Sequence, residues 1–388
     1  MRYIGAVSMR TALFSRREFL AGALAVPGAL RAASAPSMPV AIAKCPSYNE
    51  DLAGKLRTLF EQIGGVGSLV RGKTVTVTLN LTGNPNGRFQ GLVPGKTHWS
   101  NETLTGALCR VLGEQGAKRI RFVESGSVPA DTLDEYLMGG GWDVKALKRA
   151  APLVELVRTN NLNGAKKYVR LKVPSGGYMF PAFDVHPAYE ETDVYVTLAK
   201  LKNHRTCGVT LSLKNNFGVA PNAIYGEDAG IDEPNERARR ARNAVFHEGK
   251  RGPSKSAPQE LKPGSSTEAG YRVPRIVTDL ASARPIDLVV IDGVETITGG
   301  EGPWYKAKVV APGVLLAGRN PVCTDAVAAA VMGYDPSGDR GATPFQSCDS
   351  HIKLAEAIGM GTADLSRIEV AGAAIKDVRF DFDAAHNS

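Results

Sequence analysis

The order of strand and helix signals between residues 73 and 124 constrains the fold of this chain most strongly. Residues 73–81 (KTVTVTLNL) alternate apolar and β-branched side chains in the way that is typical of a strand. Residues 102–115 have apolar side chains at helical spacing, and Gly116 follows as a stop signal. Residues 119–124 (RIRFVE) return to a strand pattern. Because a strand–helix–strand unit joins parallel strands, we predict an α/β fold with a mostly parallel, doubly wound sheet, in one or two lobes.

Similar signals continue to the C-terminal end of the chain. Further strands are predicted at 153–158, 168–173, 193–201, 286–293, 308–317 and 368–372. Further helices are predicted at 51–63, 131–138, 143–151, 208–217, 275–280, 324–332 and 350–358. We therefore expect a linker and first helix over 36–72, one α/β domain over 73–375, and a C-terminal tail over 376–388.

Composition limits the class of protein. The chain has 388 residues, of which 43% are hydrophobic, so it can bury a sizeable core. No run of about 20 apolar residues follows the N-terminus, which excludes a multi-pass membrane protein. The net charge is +8, and residues 1–35, with five Arg and one Glu, account for half of it. The remaining excess is too small to indicate a nucleic-acid partner.

The N-terminus resembles an export signal. Arg16 and Arg17 are followed by Phe19-Leu20, a moderately apolar stretch, and small residues up to Ala35. This order is typical of a twin-arginine signal peptide, and we expect residues 1–35 to be removed after export. An amphipathic helix is the alternative, but residues 15–35 lack the 3.6-residue periodicity of polar side chains. The twin-arginine export machinery would then be a partner, and the mature protein would be periplasmic or otherwise exported, with no membrane span.

Five cysteines are scattered along the chain. They are Cys45, Cys109, Cys207, Cys323 and Cys348. No Cys-x-x-Cys pair is present, so we predict no iron–sulfur cluster and no zinc knuckle. An oxidising compartment permits disulfides, but spacing alone does not indicate a pairing.

Residues 222–272 differ from the rest of the chain in composition. They are rich in Pro, Gly, Ser and charged residues, with a basic cluster from Arg237 to Arg251. Two interpretations are open: a mobile insertion that covers a site, or a solvated basic loop. The composition favours the solvated loop.

The richest candidate site follows the strand at 193–201. Lys200, Lys202 and His204 are spaced two residues apart, so they share one face at the end of a hydrophobic strand. Lys214 and Asn215 follow in the next predicted helix, for which Thr206 is a candidate N-cap. Because ligands bind at the carboxyl ends of parallel strands, these groups suit an anionic small molecule. Solvated lysines at a strand end are the alternative.

Other predicted strand ends carry oxygen and imidazole groups. Glu124 and Asp292 each end a strand, and a Gly-rich loop over 298–303 carries Glu301. Asp325 lies at the start of a helix, and His98 lies in the loop after the first strand. The candidate ligands of a divalent metal are Glu124, Asp292, Glu301 and Asp325, with His98 and His204 as acid/base groups or further ligands. These residues lack a short fixed spacing, so they do not indicate which metal.

Several well-known catalytic motifs are absent from the sequence. There is no His-Glu-x-x-His, Gly-x-Ser-x-Gly, P-loop or Gly-x-Gly-x-x-Gly. These absences count against a zincin protease, a serine hydrolase, a nucleotide hydrolase and a dinucleotide-binding enzyme.

In combination, these motifs resemble the domain of unknown function 362 family. The strongest matching segments are Lys200-Leu-Lys-Asn-His204, Thr210 to Gly218, Asp287 to Gly293, and Ala317 to Asp325. The resemblance covers roughly residues 73–375 and implies an α/β fold. Some relatives carry an iron–sulfur module, for which this chain lacks the cysteines. The family implies no particular reaction.

The sequence thus favours an exported α/β protein with a polar crevice at the strand ends. A metal- or cofactor-dependent enzyme acting on an anionic small molecule is the preferred hypothesis. Lys200, Lys202, Lys214 and Asn215 would bind the anion, and His204 or His98 would transfer a proton. The alternative is a non-catalytic periplasmic protein that binds a ligand or handles a cofactor.

Overall fold

A computed structural model describes residues 35–126, 132–304 and 306–388. The expected signal peptide therefore lies almost wholly outside the described residues. The strands are β1 Val40–Lys44, β2 Thr74–Thr78, β3 Arg119–Glu124, β4 Val154–Arg158, β5 Val169–Lys172, β6 Ala182–Val185, β7 Val194–Lys200, β8 Asn203–His204, β9 Gly208–Val209, β10 Leu288–Gly293, β11 Thr296–Thr298, β12 Lys308–Val310, β13 Val314–Gly318 and β14 Val370–Gly372.

The helices occupy both the long crossovers and the C-terminal region. They are α1 Leu52–Gln62, α2 Gly67–Val70, α3 Glu102–Glu114, α4 Leu133–Gly139, α5 Val144–Arg149, α6 Leu211–Asn215, α7 Asn222–Tyr225, α8 Ala269–Ala283, α9 Pro321–Val331, α10 His351–Ala357, α11 Ile375–Val378 and α12 Phe382–Asn387. Single turns of 3₁₀ helix lie at Pro94–Lys96, Pro187–Tyr189, Asn216–Val219 and Leu365–Arg367, and a π-helical turn lies at Asn243–His247. Among the described residues, none of these helices is both long and apolar enough to cross a membrane.

Eight strands form one sheet in the order β14-β1-β13-β10-β7-β2-β3-β4. The pairs β1–β14, β7–β10, β2–β7, β2–β3 and β3–β4 are parallel, whereas β13 is antiparallel to both of its neighbours. The predicted α/β fold with a mostly parallel sheet is therefore confirmed. The chain runs from β2 outward to β3 and β4, and returns through β7 on the other side of β2. This reversal places a topological switch point between β2 and β7.

Helices cover both faces of this sheet. Strand β7 shows the arrangement, because Val194, Val196 and Leu198 pack into the layer that contains α1 and α3. The alternate residues Tyr195 and Ala199 pack into the opposite layer, which contains α8 and α9. All seven residues of β7 are buried, as expected for a central strand of a doubly wound sheet.

Four predicted elements need correction. The linker over 36–72 contains β1, which pairs with β13 and β14 in the main sheet. Helix α8 begins at Ala269 rather than near 275, because Pro274 lies inside the helix instead of at its boundary. The helix expected over 208–217 is only the five residues of α6, and the expected tail contains α11 and α12.

Residues 222–272 are buried in some places and exposed in others. Arg272 is buried in an ion pair with Glu260, and its guanidinium also donates 2.8 Å to the carbonyl oxygen of Val245. Arg242 is likewise buried, whereas Arg237 is exposed. The solvated-loop interpretation is therefore wrong for Arg242, because this side chain faces a cavity of the folded protein.

Candidate functional site

A cavity of about 570 Å³ lies at the carboxyl ends of β2 and β3, and residues that follow β7 in the chain, such as His204 and Lys214, form another part of its wall. This is the side of the switch point where ligands bind in open α/β sheets, and the volume suits a small molecule. The charged, polar and aromatic residues of the wall are Asn80, Thr82, Glu124, Ser125, His204, Arg205, Thr206, Lys214, Asn215, Phe217, Arg242, Asn243, His247, Glu248, Glu301 and Trp304.

Glu124 ends β3 and is buried in the cavity wall. Its Oε1 accepts a hydrogen bond of 2.8 Å from the backbone N–H of Ser125. Burial raises the pKa of Glu124 to about 7, and the nearby Arg242 together with backbone donors limits that rise. A carboxyl group with this pKa can both give and accept a proton near neutral pH.

Gly218 makes the position of Glu124 possible. A Cβ atom at residue 218 would lie only 2.5 Å from Oε1 of Glu124. Any larger residue would therefore displace the carboxylate or the backbone of the 3₁₀ turn Asn216–Val219. Because Gly218 has no side chain, the 3₁₀ turn after α6 can lie directly against Glu124 at the end of β3.

Arg242 binds the strand ends through neutral oxygens. Its guanidinium donates to the carbonyl oxygens of Ser125 and Ala220 at 3.3 and 2.8 Å, to Ser125 Oγ at 2.9 Å, and to Asn222 Oδ1. No carboxylate among the described residues lies within 4.0 Å of it. Burial lowers the pKa of Arg242 to about 10, so the group remains a cation at neutral pH.

Lys214 lines the same cavity from the end of α6. Within residues 35–126, 132–304 and 306–388, its Nζ has neither a hydrogen-bond acceptor nor an ion-pair partner. The ammonium lies against the ring of Phe217, with Nζ 4.8 Å from the centroid, and Glu301 acts on it electrostatically from a longer distance. Burial lowers the pKa of Lys214. An ammonium without a counter-ion in a cavity wall is suited to bind an anion.

His204 lines the cavity, and the hydrogen bonding at Nδ1 indicates which ring nitrogen carries the proton. Nδ1 accepts a hydrogen bond of 3.2 Å from the backbone N–H of Thr206, and Thr206 Oγ1 is also 3.2 Å away. Burial and the charge of Lys214 hold the pKa of His204 well below its usual value, so the ring is neutral. Because Nδ1 is an acceptor, the proton of the neutral ring is on Nε2. His204 therefore offers an N–H donor at Nε2.

Thr206 does not begin a helix, contrary to the expectation from the sequence. It lies in the turn between β8 and β9, and α6 begins five residues later at Leu211. Its role in the structure is to fix the ring of His204.

Glu301 is held in the wall by two donors. Trp304 Nε1 donates 2.8 Å to Oε1, and the backbone N–H of Arg205 donates 3.1 Å to Oε2. Burial acts to raise the pKa of Glu301, whereas the hydrogen bonds from Trp304 and from the Arg205 N–H act to lower it and favour the ionised form. Glu301 is therefore a fixed carboxylate rather than a proton donor.

Asn215 belongs to a chain of amide hydrogen bonds beneath the cavity. Asn80 Nδ2 donates 2.7 Å to Asn215 Oδ1, and Asn215 Nδ2 donates 2.8 Å to Thr197 Oγ1. Oδ1 of Asn80 is buried and has no partner among the described residues. Asn215 therefore orients Asn80, and Asn80 keeps an unused acceptor at the cavity wall.

Lys200 and Asp292 do not line the cavity. Lys200 Nζ is 2.9 Å from Asp292 Oδ2 and 3.0 Å from the hydroxyl of Tyr48, and both charged side chains are fully buried. Tyr48 also donates to Asp292 Oδ1 at 2.8 Å. The structure therefore places the expected anion-binding lysine and the expected metal ligand in one internal ion pair on the α1 side of the sheet.

Lys202 and His98 lie behind the cavity wall. The buried ammonium of Lys202 donates 2.6 Å to the carbonyl oxygen of His98 and 2.8 Å to that of Glu301. Burial lowers the pKa of His98 to about 3, and its Nδ1 is 2.9 Å from Thr97 Oγ1. Lys202 thus connects the loop after β2 to the loop that carries Glu301.

The four carboxylates expected to bind a divalent metal do not converge. Glu124 and Glu301 line the cavity, while Asp292 is paired with Lys200. Asp325 accepts hydrogen bonds from Ser212 N–H and Oγ–H at 2.8 and 2.6 Å, so it caps α6. In the described part of the chain, no three His, Cys, Asp or Glu side chains are placed to hold a metal ion.

Sequence reasoning gave no role to several residues of the cavity wall, among them Phe217, Arg242, His247 and Trp304. Arg242 and His247 come from the 222–272 segment, whose composition suggested solvent exposure. Phe217 lies two residues after Asn215, so its place in that motif was the available signal. Burial lowers the pKa of His247 to about 4.

The fold and the site together define an α/β protein with a polar, cation-containing cavity at the switch point of its sheet. The family model described as "Domain of unknown function (DUF362)" matches residues 90–330, which is more than half of the chain. The protein therefore belongs to the DUF362 family. No curated protein matches the chain.

Two solved structures show a distant likeness. The lactate racemase apoprotein from Thermoanaerobacterium thermosaccharolyticum has 12% sequence identity and a TM-score of 0.37, and the match covers 71% of this chain and 54% of that one. A protein from Thermotoga maritima has 12% identity and a TM-score of 0.30, with 65% and 51% covered. The match thus spans about half the length of both proteins.

Proposed function

We propose that this protein is an enzyme that binds an anionic small molecule in the cavity and exchanges a proton with it through Glu124. One observation carries the proposal: Glu124, with a pKa near 7, shares a cavity wall with two cations, Lys214 and Arg242, that lack carboxylate partners. Perturbed acids in clefts mark candidate catalytic sites.

The wall offers separate groups for binding and for proton transfer. Lys214 supplies an unpaired positive charge, and His204 supplies a neutral Nε2–H donor to an oxygen of the ligand. Glu301 is fixed as a carboxylate by Trp304, so it can accept a hydrogen bond from a ligand hydroxyl or amine. Glu124 is then the group whose protonation state changes during the reaction.

This assignment differs from the roles expected from the sequence. Glu124 was expected to bind a metal and His204 to act as acid or base. The neutral His204 ring already uses Nδ1 as an acceptor, so Nε2 lacks a free lone pair for a proton or a metal. Glu124 has the pKa that the acid/base role requires.

A non-catalytic binding protein is the second candidate. The absence of a convergent metal site in the described residues and the unpaired Lys214 suit simple anion binding equally well. The pKa of Glu124 favours the enzyme, because an acid in a cleft with a raised pKa is typical of catalytic sites.

The first experiment screens carboxylates and phosphate esters for thermal stabilisation of the protein. A ligand at 100 times its Kd adds about 2.7 kcal/mol to the free energy of unfolding. We expect Lys214→Met to abolish this gain. The control is Lys145→Met, because Lys145 is exposed on α5 outside the cavity.

The second experiment separates the two candidates. Stabilising compounds are incubated with the wild-type protein and with Glu124→Gln, and turnover or solvent proton exchange is followed by NMR. Loss of turnover with retained binding in Glu124→Gln supports the enzyme. Binding without turnover in the wild-type protein supports the binding protein, and stabilisation that survives in Lys214→Met contradicts both.

We also propose that the protein is exported with residues 1–35 removed. The support is the Arg16-Arg17 pair and the apolar stretch that follows it. Replacing both arginines with lysine should leave the full-length precursor inside the cell, while mass spectrometry of the exported wild-type protein should show a shortened N-terminus. Equal export of both forms would contradict the twin-arginine assignment.

A further inference from the structure

Two cations of the cavity flank one aromatic ring. Lys214 Nζ and Arg242 Cζ each lie 4.8 Å from the centroid of the Phe217 ring. The ring is also in edge contact with His247 and Phe246, each with a centroid separation of 5.4 Å. Phe217 is therefore held from several sides, and both cations lie within the distance of a cation–π interaction.

Among the described residues, neither cation has a carboxylate within ion-pair distance. Arg242 donates only to neutral oxygens, and Lys214 Nζ has no acceptor within the described residues. His247 adds no charge at neutral pH, because burial lowers its pKa to about 4. An aromatic face attracts a cation without cancelling its charge, which a carboxylate at this place would do.

We propose that Phe217 is a positioning residue that holds Lys214 and Arg242 in place as unpaired cations, so that a carboxylate or phosphate group of the ligand becomes their counter-ion. The inference rests on the proposed function, because it concerns the same cavity and defines the anionic group that the cavity accepts. Both ligand groups present the same oxyanion chemistry to an ammonium and a guanidinium.

Lys214 and Arg242 reach the ring of Phe217 from different parts of the chain. Lys214 lies three positions before Phe217, at the junction of α6 and the 3₁₀ turn Asn216–Val219, so the local backbone brings the ammonium onto the ring. Arg242 reaches the ring from the separate 222–272 segment. That segment therefore contributes charge to the site as well as part of its wall.

The test replaces Phe217 with pentafluorophenylalanine, which keeps the size of the ring but removes the negative potential of its face. The affinities for acetate and for inorganic phosphate are measured by calorimetry, and whichever binds more tightly identifies the preferred group. We expect roughly 10-fold weaker binding of that anion in the fluorinated protein. Phe217→Tyr is the matched control, because it keeps the π face, and its affinity should stay within about 3-fold of the wild type.

A second readout distinguishes this role from simple packing. The pKa of Lys214, followed by NMR in the free protein, should fall in the fluorinated protein and in Phe217→Leu, because the charged form loses its favourable contact. An unchanged Lys214 pKa together with unchanged anion affinity would overturn the inference. If the wild-type protein binds neither anion, the proposed function fails, and the Lys214 pKa alone decides the role of Phe217.

Discussion

Lys200 Nζ lies 2.9 Å from Asp292 Oδ2, and the side chains of both residues are completely buried. The two residues are direct partners in the parallel register of β7 and β10. Tyr48, the carbonyl oxygen of Gly95 and the backbone N–H groups of Asn101 and Val294 supply their other hydrogen bonds. The pair therefore joins the central strands to the α1 side of the sheet at the edge where the cavity lies.

Breaking this pair should cost stability rather than ligand affinity. Lys200→Met leaves Asp292 buried without its partner, and we expect the free energy of unfolding to fall by about 3 to 5 kcal/mol. The double variant Lys200→Met/Asp292→Asn should lose less than the sum of the two single changes. Urea denaturation measures all three, and additive losses would show that the two groups do not interact.

The free energy of unfolding should depend on pH because Glu124 titrates at a different pH in the folded and unfolded states. The pKa of Glu124 is raised to about 7 in the folded protein from 4.5. The folded state therefore binds more protons than the unfolded state, and this contribution is present below pH 4.5 and lost as the pH rises through 7. Residue 124 cannot titrate in Glu124→Gln, so the variant does not lose this contribution. Its free energy of unfolding, compared with that of the wild type at the same pH, should therefore increase by up to about 3 kcal/mol between pH 4.5 and pH 8.

The control for this titration is Glu61→Gln, since Glu61 is exposed on α1. Denaturant midpoints measured at intervals from pH 4.5 to pH 8 should give parallel curves for Glu61→Gln and the wild type. Parallel curves for Glu124→Gln as well would mean that Glu124 titrates in its ordinary range, and the acid/base assignment would then lose its basis.

Gly218→Ala should displace Glu124 without removing any charged group of the cavity. The added Cβ would lie 2.5 Å from Glu124 Oε1, so the carboxylate must move. We expect turnover to fall by at least about 10-fold, a change of about 1.4 kcal/mol in the activation barrier. Gly106→Ala on α3 is the matched control, because its Cβ meets nothing within 4 Å and should add up to about 1 kcal/mol of stability. Equal activity in both variants would show that the close approach at Gly218 has no functional value.

The tautomer of His204 is directly observable. Long-range ¹H–¹⁵N spectra should show a protonated Nε2 and a bare Nδ1, because Nδ1 accepts from Thr206. The spectrum should not change between pH 6 and pH 8, since the pKa of His204 lies well below its usual value. A proton on Nδ1, or titration near pH 6.5, would restore His204 as a candidate base.

Much of the fold follows from patterns that are local in the sequence. Strands such as β3 and β10 are runs of apolar and β-branched residues, and the crossover helix α3 has both its N-cap, Asn101, and its apolar stripe in the sequence. Strand β1 was missed because a five-residue strand paired with a distant partner, β13, leaves only a weak local signal. Helix α8 was shortened because Pro274 favours a helix boundary in the absence of tertiary contacts.

The site could be predicted only in part. Glu124, His204, Lys214, Asn215 and Glu301, which the sequence singled out, line one cavity, because chain direction alone brings the ends of parallel strands together. The pairing of Lys200 with Asp292 depends on the register of β7 and β10, which alternation within one strand does not fix. Arg242 and Phe217 meet across a long sequence separation, and composition carries no information about such a contact.

The most direct test of the whole account measures proton uptake when an anion binds. A carboxylate that stabilises the protein is titrated at pH 7.5 by calorimetry in two buffers with different heats of ionisation. An anion beside Glu124 raises the pKa of that carboxyl further, so the account predicts proton uptake in the wild-type protein and none in Glu124→Gln. Binding heats that are the same in both buffers for the wild type would contradict it, because Glu124 would then not exchange a proton with the occupied site.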